Sequence, residues 1–343
     1  MQPDLRSAPF SQPKDYKFTF IDLFAGVGGF RMALQNLEGR CEFSSELNKR
    51  AQQTYFTNYG EWPEGDITLE STKAQIPKTF DILCGGFPCQ AFSIAGHRKG
   101  FQETRGTLFF DVANIAKKHR PKALFLENVR NLVTHDGGNT FQVICNTLEE
   151  LGYTVFYKVL NSMTHANVPQ YRQRIFIVAL DPLQVPRYQE FSFPDEIPLT
   201  TTIRSLLEQG KVDQKYYYAP DHKYYAKMAE TVISKDKVYQ WRRVYVRENK
   251  RNVCPTLTAN MGSGGHNVPI IKDDYGIRKL TPKECFAFQG YPVEQMRFPA
   301  KVANCALYTQ AGNSVTMPLI QRIGEQILKV LDLNEMPKQR KAG

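Results

Sequence analysis

From residue 17 to residue 180 the chain alternates short apolar runs with segments of helical period, and few architectures accept that rhythm. KFTFIDL (17–23) reads as a buried strand, and GFRMALQNLEG (29–39) as a helix stopped by Gly39. RCEFSS (40–45) is a strand, LNKRAQQTYFTNYG (47–60) a helix, and FDILCGG (80–86) a strand ending in glycines. TLFFDVANIAKKHR (107–120) sets Leu108, Phe109, Val112, Ile115 and Ala116 on one helical face before Pro121. KALFLEN (122–128) is a strand and TFQVICNTLEELG (140–152) a helix. YTVFYKVLNS (153–162) and RIFIVAL (174–180) are two further strands. Strands this apolar, alternating with helices, imply an α/β domain with a parallel sheet covered on both faces, whose ligand sites lie beyond the strands' carboxyl ends.

After Asp181 the rhythm stops. Residues 182 to 275 are rich in Pro, Tyr, Lys and Arg and hold a glycine cluster, MGSGGHNV, which reads as a second, smaller, irregular or β domain. LTPKECFAFQGYP and GNSVTMPLIQRIGEQILKVL then restore helical patterns, the last one beginning after a cap at Asn313-Ser314. The organisation expected is an α/β domain over 15–195, a second, smaller domain over 196–277 and a return segment over 278–335.

Length and composition narrow the class. The 343 residues are enough to bury a sizeable core, and 42% hydrophobic with 23% charged residues is ordinary for a soluble protein. No run is apolar enough for a membrane span, and the first residues lack the core of a signal peptide, so a cytoplasmic protein with no membrane partner is expected. Seven cysteines, an odd number with no CxxC pair, suggest neither a disulfide framework nor a metal site. Lys and Arg outnumber Asp and Glu by 44 to 34, a net charge of +10. That charge is clustered: YQWRRVYVRENKR (239–251) interleaves cations with aromatic rings, a composition suited to phosphates and bases.

The loops after the strands carry the chemistry. In IDLFAGVGGF (21–30), Gly26, Gly28 and Gly29 let the backbone approach a ligand, but the spacing is not GxGxxG. A nucleotide-like cofactor without pyrophosphate fits better, and S-adenosylmethionine is one. Glu46, at the end of the next strand, is placed to accept from ribose hydroxyls. Asp66 in EGDIT is placed to accept from an adenine amino group, and Phe24 and Leu47 to sandwich the ring. Gly85 and Gly86 permit a sharp turn, and Pro88 fixes the backbone before Cys89, a candidate thiolate nucleophile. The polar, glycine-broken stretch SIAGHRKGFQETRG (93–106) is a candidate lid. Glu127 ends another strand, where a nearby thiolate would raise its pKa and make it a proton donor. Gln170, Arg172 and Arg174 in PQYRQR supply donors for carbonyls and phosphates. A thiolate, a proton donor and a methyl-donor pocket together point to attack on C6 of a pyrimidine, with methylation at C5.

These segments resemble the cytosine-C5 DNA methyltransferases, in size the compact prokaryotic restriction–modification enzymes. DLFAGVGGF, GDI, GFPCQAFS, GTLFF, LENV, VPQYRQRIF, PTLTA, RKLTPKEC and AGNSV occur in order over residues 20 to 316, leaving only 181–253 unmatched. The resemblance implies a Rossmann-like, S-adenosylmethionine-dependent methyltransferase sheet with a small target-recognition domain. It implies Cys89 as nucleophile, Glu127 and Arg174 on the flipped cytosine, and Arg172 holding the site. Phe24, Val27, Glu46, Asp66, Ile67, Gly86, Pro88, Leu108, Asn313 and Val315 fall on its cofactor positions. Gln90 and Ser93 fall on its mobile DNA-closing loop, and Thr256 on the part approaching DNA. Two departures stand out: Leu47 replaces the stacking tryptophan of some relatives, and Ala95 the loop serine of others.

Arg242, Arg243, Arg247 and Lys250 are expected to make phosphate and guanine contacts with double-stranded DNA, helping to offset the cost of extruding a base. The enzyme is expected to act as a monomer, to protect DNA from a cognate restriction endonuclease and to need no metal. Two rivals remain. A tRNA cytosine-5 methyltransferase shares the cysteine loop but usually lacks so long and basic a recognition region. A catalytically silent DNA-binding protein is disfavoured by the intact Cys89, Glu127 and Arg174.

Overall fold

A computed structural model describes residues 8–88, 108–242, 245–263 and 268–331. They divide into two compact units. Of the described residues, the first, here the sheet unit, holds those within 10–160, 174–194 and 320–331; the second, the ribbon unit, holds those within 8–9, 161–173 and 195–319.

The strands of the sheet unit are β1 (Phe18–Leu23), β2 (Gly39–Ser45), β3 (Ile82–Gly86), β4 (Ala123–Val129) and β5 (Thr154–Asn161). After the two-residue β6 (Gln170–Tyr171) of the ribbon unit comes β7 (Gln173–Leu180). Six of these form one sheet in the order β2-β1-β3-β4-β7-β5. β1, β2, β3 and β4 pair in parallel. β7 departs from the expected parallel sheet by running antiparallel to β4, with Val129 opposite Arg174. An apolar run shows that a strand is buried on both faces and says nothing of its direction. The helices are α1 (Gly29–Gln35), α2 (Lys49–Tyr59), the single turn α3 (Glu70–Lys73), α4 (Leu108–His119) and α5 (Asn139–Glu150). A core of Ile21, Leu23, Leu83, Leu124, Leu126 and Ile177 from the sheet packs with Phe109, Val112, Ala113 and Ile144 from α4 and α5.

Gly39 does not stop α1, which ends at Gln35; it opens β2 instead. A Cβ there would lie 2.5 Å from the Phe18 ring, so the glycine serves strand packing. α2 matches its sequence closely: the Asn48 side chain accepts from the N–H groups of Arg50 and Ala51, and Gly60 closes the helix in the left-handed region.

The ribbon unit holds the short helices α6 (Ser162–His165) and α7 (Tyr225–Thr231), and the strands β8 (Tyr239–Arg242) and β9 (Tyr245–Glu248). Then come β10 (Cys254–Pro255), β11 (Ile270–Lys272) and β12 (Ile277–Lys279). The order β12-β11-β8-β9 makes a four-stranded antiparallel sheet, and β10 pairs with β6. α8 (Pro282–Ala287) begins with a capping box between Thr281 and Glu284. α9 (Asn304–Asn313) was not expected from sequence, and α10 starts only at Met317 and runs to Val330.

Candidate active site

The parallel register brings the carboxyl ends of β1 to β4 side by side. Leu23 lies opposite Ser45 and Gly85, and Gly86 opposite Glu127. The turn 24–28, the segment after Ser45, the Phe87-Pro88 dipeptide and Glu127 therefore line one edge. A bridge between Ser45 and Glu64 adds the Asp66-Ile67 segment.

The glycine turn is held by Glu46. Its Oε2 accepts from the Gly26 N–H at 2.8 Å and its Oε1 from the Asn48 N–H at 2.7 Å, and both oxygens keep further acceptor capacity. Gly26 has φ 57° and a Cβ added there would meet nothing within 4 Å, whereas Gly28, φ 83°, would drive one into the Tyr59 ring at 2.4 Å. Phe24 also takes a left-handed φ of 56°, unusual for a bulky side chain. Val27 and Ile67 are buried, Leu108 is half-buried at the start of α4, and Leu47 is 67% exposed. Asp66 is held by Thr68, whose N–H and hydroxyl both donate to its Oδ1.

At the end of β4 the Glu127 carboxylate is buried and accepts from Arg174 Nε at 3.0 Å. Burial lowers the Arg174 pKa from its ordinary value, while the Glu127 charge pulls the other way. A Cβ on Gly86 would sit 3.3 Å from Glu127 Oε2, so the glycine leaves that carboxylate face open. Next to it, the Asn128 side chain donates to the Phe87 carbonyl at 2.8 Å, tying the end of β4 to the backbone that leads into Pro88. Cys89, Gln90, Ser93 and Arg243 lie outside the described residues. Among the described cysteines, burial raises the thiols of Cys41, to about 12, and Cys145, to about 11, and those of Cys84, Cys254 and Cys285 well above the ordinary value. Raised thiols of this kind are inert.

In the ribbon unit, Arg172 is a clamp. Its guanidinium is buried and donates to the carbonyls of Leu257 (2.9 Å), Gly312 (3.1 Å) and Ser314 (2.6 Å). One side chain thus ties PTLTA to AGNSV, the segment that carries Asn313 and Val315. Gln170, also fully buried, reinforces the join by accepting from the Leu257 N–H and donating to the Phe288 carbonyl. Thr256 donates to the Tyr171 carbonyl at 2.6 Å. Arg242, Arg247 and Lys250 are exposed or nearly so, the first two on β8 and β9.

The family model for C-5 cytosine-specific DNA methylases matches residues 18–329. The chain belongs to that family. It is 47% identical over 312 residues to the type II methyltransferase M.Bsp6I of Bacillus sp. (strain RFL6), covering 90% of this chain and 97% of that one. It is 43% identical over 328 residues to M.HpaII of Haemophilus parainfluenzae, covering 92% and 90%. In fold it is similar to the S. pombe Dnmt2 methyltransferase, with a TM-score of 0.68 at 17% identity, covering 92% of this chain and 99% of that one.

Sequence reading of this methylase missed one buried polar cluster beneath the glycine turn. Asp22 interrupts the apolar run of β1, and Arg31 sits among apolar neighbours in α1; both are almost fully buried. Arg31 donates to the Tyr55 hydroxyl and to Glu61, each at 2.9 Å, and lies 4.5 Å over the Tyr59 ring. Asp22 accepts from the Arg31 N–H at 3.3 Å, and burial pushes its carboxyl up to about 8. Asp22 Oδ1, Arg31 Nη2 and Ser45 Oγ have no partner among the described residues. The signal was present in sequence: an acid and a base placed where every neighbour is apolar. Among the described residues there is also no cluster of metal-binding side chains, and no helix long and apolar enough to cross a membrane.

Proposed function

We propose that this methylase uses S-adenosylmethionine to methylate C5 of a cytosine turned out of duplex DNA, at a specific short site, protecting that DNA from a partner restriction endonuclease. The Glu127–Arg174 pair beside Gly86 carries this reading, because it sets a carboxyl group and a guanidinium at the strand end that leads into Pro88 and Cys89.

The residues fit the cofactor. The open side of Gly26, the carboxylate of Glu46 held against it, the exposed Leu47 and half-buried Phe24 and Asp66 offer an apolar surface edged by acceptors, suited to an adenosine. Val27, Gly28, Ile67, Gly86, Pro88, Leu108, Asn313 and Val315 complete the proposed set. When bound, the cofactor supplies an electrophilic methyl group.

The chain's own part is to make the base nucleophilic. Cys89 adds as thiolate to C6, breaking the C5–C6 double bond and pushing its electrons toward N3 and C5. Glu127 offers a hydrogen bond or proton at N3, and Arg174 offers its guanidinium to the base carbonyl, so both stabilise the charge where it develops. Arg172 acts through position, by holding the backbone of PTLTA and AGNSV. Residues 15–195 would carry the chemistry, 196–277 the recognition of DNA, and 278–335 the return.

Duplex carrying 5-fluorocytosine tests this, since the fluorine blocks release of the adduct. The wild type with cofactor should form a covalent complex that resists denaturant, and Cys89→Ala should form none. Trapping by the mutant, or methyl transfer to tRNA and not to duplex, would overturn the reading.

A further inference from the structure

The β8–β9 ribbon has two unlike faces. Tyr239 pairs with Glu248, Gln240 with Arg247, Trp241 with Val246 and Arg242 with Tyr245. Side chains alternate along a strand, so Tyr239, Trp241 and Val246 share one face, and Gln240, Arg242, Tyr245 and Arg247 share the other. The first face is covered: Tyr239 and Val246 pack with Met228 and Val232 of the α7 region, Ile270 and Ile277, with Trp241 against them. On the second, Arg242, Tyr245 and Arg247 are exposed, Tyr245 by 53%. β9 is also the edge strand of its sheet.

Among the described residues neither of these arginines joins an ion pair. Cations nearby in the same unit do: Arg204 with Asp236, Lys235 with Asp274 and Lys237 with Glu248. The acceptor of Gln240, directly opposite Arg247, is buried without a partner among the described residues. The ribbon thus presents on one face two exposed guanidiniums, without an ion pair among the described residues, with a phenol beside them.

The two arginines are diagonal neighbours across the ribbon, their Cα atoms ~7–8 Å apart. Base pairs rise ~3.4 Å each, so this is about two steps along a duplex. The major groove admits a two-stranded ribbon, and a guanidinium matches the O6 and N7 of guanine bidentately.

We infer that the Arg242/Tyr245/Arg247 face is the base-reading surface of this methylase, with Arg242 and Arg247 each reading one guanine, two steps apart. The inference rests on the proposed action on duplex DNA and adds which side chains carry the sequence code.

The test uses the full chain with S-adenosylmethionine on unmethylated genomic DNA, followed by base-resolution mapping of modified cytosines. Wild type should define a short site with guanines about two steps apart. Arg242→Ala and Arg247→Ala should each relax the code at a different one of them and lower kcat/KM at the full site by roughly 10- to 100-fold. Arg204→Ala, off this face, should leave the code unchanged. Duplex with 7-deazaguanine at the position assigned to Arg247, which removes N7, should impair wild type and leave Arg247→Ala indifferent. Variants that lose activity equally on all sequences, or keep the full code, overturn the ribbon reading while leaving duplex methylation intact. A wild type that modifies no duplex overturns both.

Discussion

The two units share one use of arginine, the buried ion pair, which in the ribbon unit joins Arg278 to Asp273 and Glu284, and they differ in the others. In the sheet unit the buried guanidiniums face acids or phenols: Arg174 meets Glu127, and Arg31 meets Tyr55 and Glu61. In the ribbon unit Arg172 is equally buried but spends itself on three backbone carbonyls, while Arg242 and Arg247 stand exposed. One residue type therefore serves as buried ion-pair partner, as architectural clamp and as exposed donor. Burial and the nature of the partner decide which. An exposed arginine costs little to keep and is free for a ligand, whereas a buried one must have every neighbour arranged around it.

This contrast can be broken by stability measurements. Arg172→Ala leaves the carbonyls of Leu257, Gly312 and Ser314 without their donor and should cost about 3–5 kcal/mol in denaturant unfolding. Arg247→Ala should stay within about 0.5 kcal/mol of wild type. Comparable losses in the two would erase the distinction between buried clamp and exposed donor.

The glycine turn offers a second, smaller contrast. Gly28→Ala combines a left-handed φ with a Cβ pressed on Tyr59 and should cost about 2–4 kcal/mol. Gly26→Ala meets only the left-handed strain, about 1–2 kcal/mol, but puts a methyl group into the open side of the turn. Calorimetry should therefore find S-adenosylmethionine binding weakened in Gly26→Ala out of proportion to its stability. Unchanged affinity would remove Gly26 from the cofactor cradle.

The smallest effect is a pH trend at Asp22, which faces Arg31 and, more weakly, Glu46. Its folded pKa, about 8, lies above the ordinary value of ~4, so between those limits the folded state keeps a proton that the unfolded state has released. The contribution is fully present below pH ~4 and is lost as pH rises through about 8. Asp22→Asn cannot ionise. The wild-type melting temperature should thus fall relative to Asp22→Asn between pH 5 and pH 8. A constant difference would mean that Asp22 is ionised throughout.

Much of the sheet unit was legible because its strands are short, apolar and bounded by glycines. Glu127 and Arg174 were singled out as candidates because a charge at the end of an apolar strand has few structural reasons to be there. α9 escaped for the opposite reason: Ala306, Leu307, Tyr308, Gln310, Ala311 and Gly312 are all buried, so no polar stripe marks a helix, and Ala303 provides no capping side chain. Asp22 and Arg31 were passed over because each lies within a segment already accounted for as core.

Sequence alone determined that this chain builds an α/β sheet, since periodicity and punctuation act locally along the backbone. It also carried the ordered motifs that mark the family. Only the tertiary structure decided that β7 runs against β4, that Arg172 clamps three carbonyls and that Arg242 and Arg247 share an uncovered face. Strand direction, burial and partnership depend on residues distant in the chain, and no local pattern encodes them.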